Sequence, residues 1–196
     1  MTHIQNIPHI HVNGITHKDS KNANNVYKSI GDSTLISTRN NFIMPNGRTL
    51  GEYIPFYFGY RTPMLYVIQN GFNGVSSVKA ENIVYCVSSI QKIIDAGLDF
   101  SFTDGHATDG FSNFYFAKDI KNISDNIDFE AINAKYWKKE GDLDFKRRKE
   151  AEFLILDDIV NDLILGYIVS NKKAKDLLLS FGVNNKIAIK PDYYFY

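Results

Sequence analysis

The sequence has little cysteine, no net charge and no long apolar run, and each shortage excludes a class of protein. Cys86 is the single cysteine among 196 residues, so the chain supplies no partner for an internal disulfide bond. Its 22 basic side chains balance 22 acidic ones, which argues against a general nucleic-acid coat protein. No apolar stretch is long enough to span a membrane and no signal peptide is visible, so we expect a cytoplasmic protein without a membrane partner.

Familiar nucleotide and metal motifs are also missing. The chain has neither a GxGxxG nor a P-loop pattern, so a dinucleotide site of the Rossmann type and a P-loop phosphate site are both excluded. His3, His9, His11 and His17 cluster near the N-terminus, but no cysteine joins them and no HExxH pattern is present. His9 and His11 are two residues apart and would not share a helix face. We therefore expect no metal site, and we interpret Cys86, which has apolar neighbours, as a buried inert thiol.

Strand-like and helix-like segments mix without a regular alternation, which predicts an α+β fold in a single domain over residues 1–196. The predicted strands cover 54–58, 83–87, 98–103, 151–156, 165–169 and 186–189. The predicted helices cover 6–12, 63–70, 88–96, 128–137 and 172–181, with Thr62 as a cap and Gly14, Gly71, Gly97 and Gly182 as stops. Residues 18–33 are polar and predict a surface loop. Aromatic residues make up 14% of the chain, and core packing explains such a surplus more often than base stacking does.

Two polar residues stand where chemistry is plausible. Glu152 enters an apolar strand, and a carboxylate is costly to bury there without a partner. A strand-end residue in water or an ion pair would also explain it. His106 follows a strand in a polar, glycine-rich turn of the kind that often carries catalytic groups, although an ordinary exposed turn is the commoner case.

A basic run directly precedes Glu152. Lys146, Arg147, Arg148 and Lys149 follow one another, and a solvated face is the commonest explanation of such a run. Its closeness to Glu152 favours a second explanation, in which the cations hold a polyanion beside a reactive carboxylate.

Five segments together resemble the DarT family, which modifies DNA with ADP-ribose. They occur in the family's order, cover most of the chain and are Thr2-His3-Ile4-Gln5-Asn6-Ile7-Pro8, Tyr53-Ile54-Pro55-Phe56-Tyr57-Phe58, Arg61-Thr62-Pro63-Met64-Leu65-Tyr66-Val67-Ile68, Phe102-Thr103-Asp104-Gly105-His106-Ala107 and Lys146-Arg147-Arg148-Lys149-Glu150-Ala151-Glu152-Phe153-Leu154. The last of these runs, taken with the second and third, is specific. The resemblance implies an ADP-ribosyltransferase fold, in which mixed and antiparallel sheets with flanking helices surround an NAD cleft.

The resemblance also implies roles for individual residues. Glu152 matches the family's catalytic glutamate, and Arg39, in a less distinctive stretch, is similar to its catalytic arginine. Thr2 and His9, with Arg39, fall on NAD-contacting positions, and residues 106–152 form the segment that receives the substrate. The residues implied on the DNA side are Tyr57, Met64, His106, Lys146, Arg147 and Arg148.

The function implied is transfer of ADP-ribose from NAD to a base of single-stranded DNA by a bacterial toxin, with thymine as first choice and guanine as second. A macrodomain antitoxin is the implied partner. Family members usually carry one more strand before the Thr2-His3 run, so we expect the first strand of this chain to be missing. Two alternatives follow: an inactive relative that binds single-stranded nucleic acid, or a transferase that acts on RNA or protein.

Overall fold

Eight helices and eight strands form in this chain, described for residues 1–196 by a computed structural model. The helices are α1 (Ile7–Asn13), α2 (Ser33–Asn41), α3 (Pro63–Asn70), α4 (Ile90–Asp95), α5 (Ile123–Asn126), α6 (Phe129–Asn133), α7 (Phe145–Lys149) and α8 (Lys172–Ser180). The strands are β1 (Thr2–His3), β2 (Ile54–Tyr57), β3 (Ile83–Val87), β4 (Phe100–Thr103), β5 (Phe114–Phe116), β6 (Glu152–Ile155), β7 (Gly166–Val169) and β8 (Lys186–Ile189). The fold is α+β, as predicted.

The chain divides into two compact units, each built on a four-stranded sheet. The first unit comprises residues 1–31, 67–98 and 157–196, and its sheet has the order β1-β3-β7-β8. Strands β7 and β8 are parallel, with helix α8 as the crossover between them. Aliphatic side chains from α1, β7 and α8 fill the core of this unit.

The second unit comprises residues 32–66 and 99–156 and carries an antiparallel sheet in the order β2-β6-β4-β5. Strand β6 is therefore flanked by strands on both sides, and all four of its residues are buried. Phe153 of β6 stacks on Phe100 at 4.8 Å between ring centroids, and Phe102 stacks on Tyr115 at 5.1 Å. These pairs agree with core packing as the main role of the aromatic residues.

Most of the predicted elements are present. Helix α3 begins after Thr62, whose hydroxyl accepts a hydrogen bond from the Leu65 amide, and Gly71 follows it with φ 71°. The predicted helix over 128–137 is wrong in its second half, because α6 ends at Asn133 and Ala134 is extended. Helix α2 was not predicted at all, although it carries Arg39.

Candidate active site

Glu152 is the first residue of β6, one of the two inner strands in the sheet of the second unit. It pairs with Tyr57 of β2 in the antiparallel register, and its own backbone amide donates a hydrogen bond to the Thr103 hydroxyl at 3.2 Å. Only 1% of its surface is exposed. A carboxylate buried so fully needs partners for its oxygens, since an unpaired charge in a core costs several kcal/mol, on the order of 3–5.

Both carboxylate oxygens of Glu152 have a partner. The Nη1 of Arg39 donates to Oε2 at 2.8 Å, and the backbone amide of Ala107 donates to Oε1 at 3.0 Å. Charge-assisted bonds of this length fix the orientation of the carboxylate and keep it available as a negative group. The two donors come from separate segments, so the second unit brings together a helix, a loop and a strand at this point.

Helix α2 positions Arg39. Asp32 caps the helix by accepting from the amides of Thr34 and Leu35. Gly51 packs against the same helix so closely that an added Cβ would lie 2.7 Å from the Cα of Asn40. The Nη2 of Arg39 is buried without a hydrogen-bond partner. An unsatisfied guanidinium donor beside an ion pair fits an anionic or strongly polar ligand, such as the phosphates of a dinucleotide.

The turn after β4 carries His106 and Ala107. The His106 amide donates to the Arg147 carbonyl at 3.1 Å, and its Nδ1 lies 2.9 Å from the Thr108 hydroxyl. Gly105 leaves no room for a side chain, since a Cβ there would lie 2.7 Å from the Cγ of Arg147. The sequence Asp104-Gly105-His106 thus makes a tight turn that delivers the Ala107 amide to Glu152.

Two further groups adjoin the Glu152 carboxylate. Burial raises the pKa of the Tyr57 phenol well above its ordinary value, and the nearby carboxylates of Glu152 and Glu150 raise it further. Burial also raises the pKa of the Glu150 carboxyl, which forms an ion pair with Lys146 at 3.1 Å. Tyr57 was expected from the sequence, whereas Glu150 was not.

The basic run forms the short helix α7, and its four cations have different surroundings. Lys146 is the most exposed, with 57% of its side chain in water. Lys149 is 2% exposed and donates to the carbonyls of Ile132 and Ala134, and burial lowers its pKa to about 8. Only Lys146 therefore has the exposure of a solvated residue.

The two arginines of the run are bound to carboxylates of the same unit. Arg147 forms ion pairs with Asp104 and Asp144, each at 2.7 Å. Arg148 forms ion pairs with three carboxylates, at 2.8, 2.6 and 3.0 Å, which are those of Asp128, Asp142 and Asp144. The hydrogen bond from Arg147 holds the pKa of Asp144 below its ordinary value. Among these carboxylates only Asp144 has a helical spacing, three positions before Arg147 and four before Arg148, so this pairing alone could have been recognised in the sequence.

The remaining predicted residues lie elsewhere. Met64 is half-buried on helix α3. Thr2 and His9 belong to the first unit, where Thr2 accepts a hydrogen bond from Asn6 at 2.8 Å and the His9 ring lies 3.2 Å from the Thr16 hydroxyl.

No three histidine, cysteine or acidic side chains are grouped so that they could hold a metal ion. None of the eight helices has the length and apolar character needed to cross a membrane.

Comparison with known proteins gives a consistent result. A family model described as DarT, ssDNA thymidine ADP-ribosyltransferase, matches residues 1–195. The chain is 32% identical over 157 residues to a DNA ADP-ribosyl transferase of Thermus sp. strain 2.9, covering 77% of this chain and 72% of that protein. It is 32% identical over 178 residues to a DNA ADP-ribosyl transferase of Escherichia coli O127:H6, covering 89% and 80%. It is also 27% identical over 197 residues to a DNA ADP-ribosyl transferase-DNA ADP-ribosyl glycohydrolase fusion protein of Thermosipho africanus, covering 100% and 48%.

Solved structures agree with the sequence relatives. The fold is similar to Thermus sp. 2.9 DarT in complex with ADP-ribosylated ssDNA, with a TM-score of 0.83, 29% identity and coverage of 99% of this chain and 93% of that one. It is also similar to Thermus sp. 2.9 DarT in complex with NAD+, with a TM-score of 0.79, 29% identity and coverage of 99% and 94%.

Proposed function

The chain belongs to the DarT family of single-stranded-DNA thymidine ADP-ribosyltransferases, and on that premise we propose that Glu152 and Arg39 are its catalytic pair. The chain is an NAD-dependent DNA ADP-ribosyltransferase whose acceptor is single-stranded DNA. Relatives of the same fold were solved with NAD+ and with ADP-ribosylated single-stranded DNA. The observation that carries the residue assignment is the buried Glu152 carboxylate, held by Arg39 at 2.8 Å and by the Ala107 amide at 3.0 Å.

NAD supplies the ADP-ribosyl group and nicotinamide as the leaving group. Positive charge develops on the ribose as the bond between nicotinamide and ribose breaks, in the same way as in glycoside hydrolysis. In this proposal the negative charge of Glu152, whose carboxylate is fixed by two hydrogen bonds, stabilises that centre without reorganisation, and the same carboxylate takes a proton from the attacking base. The unpartnered Nη2 of Arg39 binds a phosphate of the dinucleotide. By family position, Thr2 and His9 add contacts to NAD.

The acceptor base lies on the Tyr57 side of Glu152 in this proposal. Tyr57 and Met64 pack against the base, since aromatic and apolar faces tolerate and orient bases. A base stacked within a duplex is hard to reach, which agrees with a single-stranded substrate. Thymine is our first choice, as the family description states, and guanine is the second. His106 and the rest of residues 106–152 form the substrate-recognition segment of one transferase domain, 1–196.

Phosphate recognition falls mainly on Lys146. It is exposed, whereas a phosphate reaching Arg147 or Arg148 has to share the guanidinium with Asp144 or displace that carboxylate. Arg147 and Arg148 then contribute to DNA binding through their remaining N–H groups and by holding the segment in shape.

The biological setting follows from the family. We place the reaction in the cytoplasm, where NAD and DNA are both present, and propose that the protein acts as a toxin. A relative fused to a DNA ADP-ribosyl glycohydrolase supports a partner that removes the modification. We propose a macrodomain antitoxin for that role.

The test is mass spectrometry of acceptors incubated with NAD and the protein. The acceptors are a single-stranded oligonucleotide with all four bases, copies lacking thymine or guanine, an RNA of the same sequence and a protein mixture. We expect one ADP-ribose on DNA and none on the copy without thymine. If only the copy without guanine remained unmodified, guanine and not thymine would be the modified base. Modification of RNA or protein alone, or of nothing, would contradict the proposal.

A further inference from the structure

Phe111 is an exposed aromatic residue at the tip of the turn that serves Glu152. Its surface is 86% exposed, between Gly110 and Ser112. Single exposed apolar residues are common on proteins and need no explanation by themselves. The position of Phe111 is unusual because the backbone that carries it is rigid and is attached to the candidate active site.

The rigidity has several sources. The Phe111 amide donates to the Asp109 carboxylate at 2.9 Å, and the Ser112 hydroxyl donates to the His106 carbonyl at 2.7 Å. At the base of the turn, Asp104 accepts from the Asn113 amide at 2.9 Å and from Arg147 at 2.7 Å. The backbone around Phe111 is therefore ordered before any ligand binds, which lowers the entropy cost of binding through this ring.

The same turn contacts the catalytic carboxylate. Its Ala107 amide donates to Glu152 at 3.0 Å, and Phe111 follows Ala107 by four positions. A span of four residues reaches at most about 14 Å when extended, and this one is folded. The Phe111 ring thus lies within a few nucleotide lengths of the reacting centre, at a position of the substrate-recognition segment that has no role assigned so far.

We propose that Phe111 is a specificity-determining residue that stacks on the nucleobase next to the modified base. The inference rests on the proposed function, since its occupant is the single-stranded DNA acceptor. Stacking of a base on an aromatic side chain suits this position, because a phenylalanine has no polar group to satisfy and every base has an apolar face. Phe111 holds the neighbour while Tyr57 faces the modified base. Phe111 makes no bond to a reacting atom.

The test combines a protein change with a substrate change. The substrates are an oligonucleotide with one thymine and two copies in which the nucleotide on the 5′ or the 3′ side of that thymine is abasic. We measure kcat/KM for the wild type, for F111A and F111W, and for Y196A as a control at an aromatic residue that is also 86% exposed. We expect F111A to lose about tenfold on the intact oligonucleotide, and F111W and Y196A to keep the wild-type rate.

The decisive result is the coupling between the two changes. An abasic neighbour on one side costs the wild type about tenfold but adds nothing further to the loss in F111A, because the same contact has already been removed. Equal costs in the wild type and F111A on both sides would overturn the proposal, as would full activity of F111A on the intact substrate. No transfer by the wild type to any oligonucleotide would instead contradict the proposed function.

Discussion

The two units each contain a four-stranded sheet, but they bury different kinds of polar groups. In the first unit the buried polar residues are Thr2, His3, Asn6 and Ser170. In the second unit they include the charged residues Asp32, Arg61, Lys149, Glu150 and Glu152. Buried charges are expensive and contribute little net stability even when paired, so a fold has no need to concentrate them. Their confinement to one unit supports our proposal that the chemistry takes place there.

Within the second unit the buried charges serve different purposes. Glu152 and Arg39 face each other beside an unsatisfied donor, which is an arrangement for a ligand. Lys149 instead binds two carbonyls at the end of helix α6, which is an arrangement for structure. If this division is correct, substitutions of Glu152 or Arg39 reduce activity more than stability, and substitutions of Lys149 reduce stability more than activity.

Apart from substitution of Glu152 itself, the largest effect is expected for Arg39→Gln. It removes the charged partner of Glu152 and the donor that we assign to phosphate, so kcat/KM should fall about 10²- to 10³-fold. Arg39→Lys keeps the charge but cannot direct one N–H group to Glu152 and another to the phosphate, so its kcat/KM should lie between those of Arg39→Gln and the wild type. Single-turnover transfer to an oligonucleotide measures both, and a Gln variant within twofold of the wild type would remove Arg39 from the mechanism.

Lys149→Met should act on stability. The carbonyls of Ile132 and Ala134 lose their donor, which costs about 1–3 kcal/mol of unfolding free energy. Chemical denaturation measures this cost, with the exposed Lys138→Met as control. A Met variant as stable as the control would show that the carbonyls do not depend on Lys149.

The pH dependence of the same variant gives a second test. The folded pKa of Lys149 is about 8, below the unfolded value of about 10.4, so between these pH values the unfolded chain binds more protons. The contribution of Lys149 to the unfolding free energy therefore rises with pH from about 8 to about 10. The wild type should gain stability relative to Lys149→Met over this window, and a constant difference would exclude a depressed pKa.

Arg148→Gln should lower the melting temperature by roughly 3–6 °C. It leaves the carboxylates of Asp128, Asp142 and Asp144 without their shared cation, and like charges then repel one another. Arg48→Gln breaks a single, more exposed pair with Glu52 and should cause almost no change. Equal shifts in the two variants, measured by differential scanning calorimetry, would mean that the Arg148 network is no more than a set of surface pairs.

The smallest effect is expected for Lys146→Gln. Losing one phosphate contact costs about tenfold in oligonucleotide affinity at low salt, and less as salt rises because screening weakens the contact in the wild type. Fluorescence anisotropy over a salt series checks this, with Lys79→Gln, at an exposed lysine of the first unit, as control. An unchanged salt slope would exclude Lys146 from phosphate binding.

Local patterns predicted most of the elements and part of the site. Hydrophobic runs located strands β2, β3, β6, β7 and β8, since side-chain periodicity is a local property. Glu152 stood out because a carboxylate entering an apolar strand is conspicuous. Helix α2 was not found because it buries no residue and its sequence has no apolar stripe, so only its cap and its packing against Gly51 define it.

Contacts between distant segments could not be predicted. The Ala107 amide reaches Glu152 across 45 residues, and the Arg39 side chain reaches it across 113. Neither pairing leaves a trace in the local sequence. Likewise, the basic run suggested a solvated or phosphate-binding surface, whereas the fold supplies carboxylates to Arg147 and Arg148 and buries Lys149.

The central claim, that the buried carboxylate of the second unit performs the transfer, is tested most directly by Glu152→Gln. The measurement is the time course of mass gain by a thymine-containing single-stranded oligonucleotide with NAD, alongside Asp95→Asn, at an exposed carboxylate of the first unit, as control and with circular dichroism to confirm folding of both variants. We predict a loss of about three powers of ten or more for Glu152→Gln and none for Asp95→Asn. A folded Glu152→Gln protein that modifies the oligonucleotide at the wild-type rate would contradict the account.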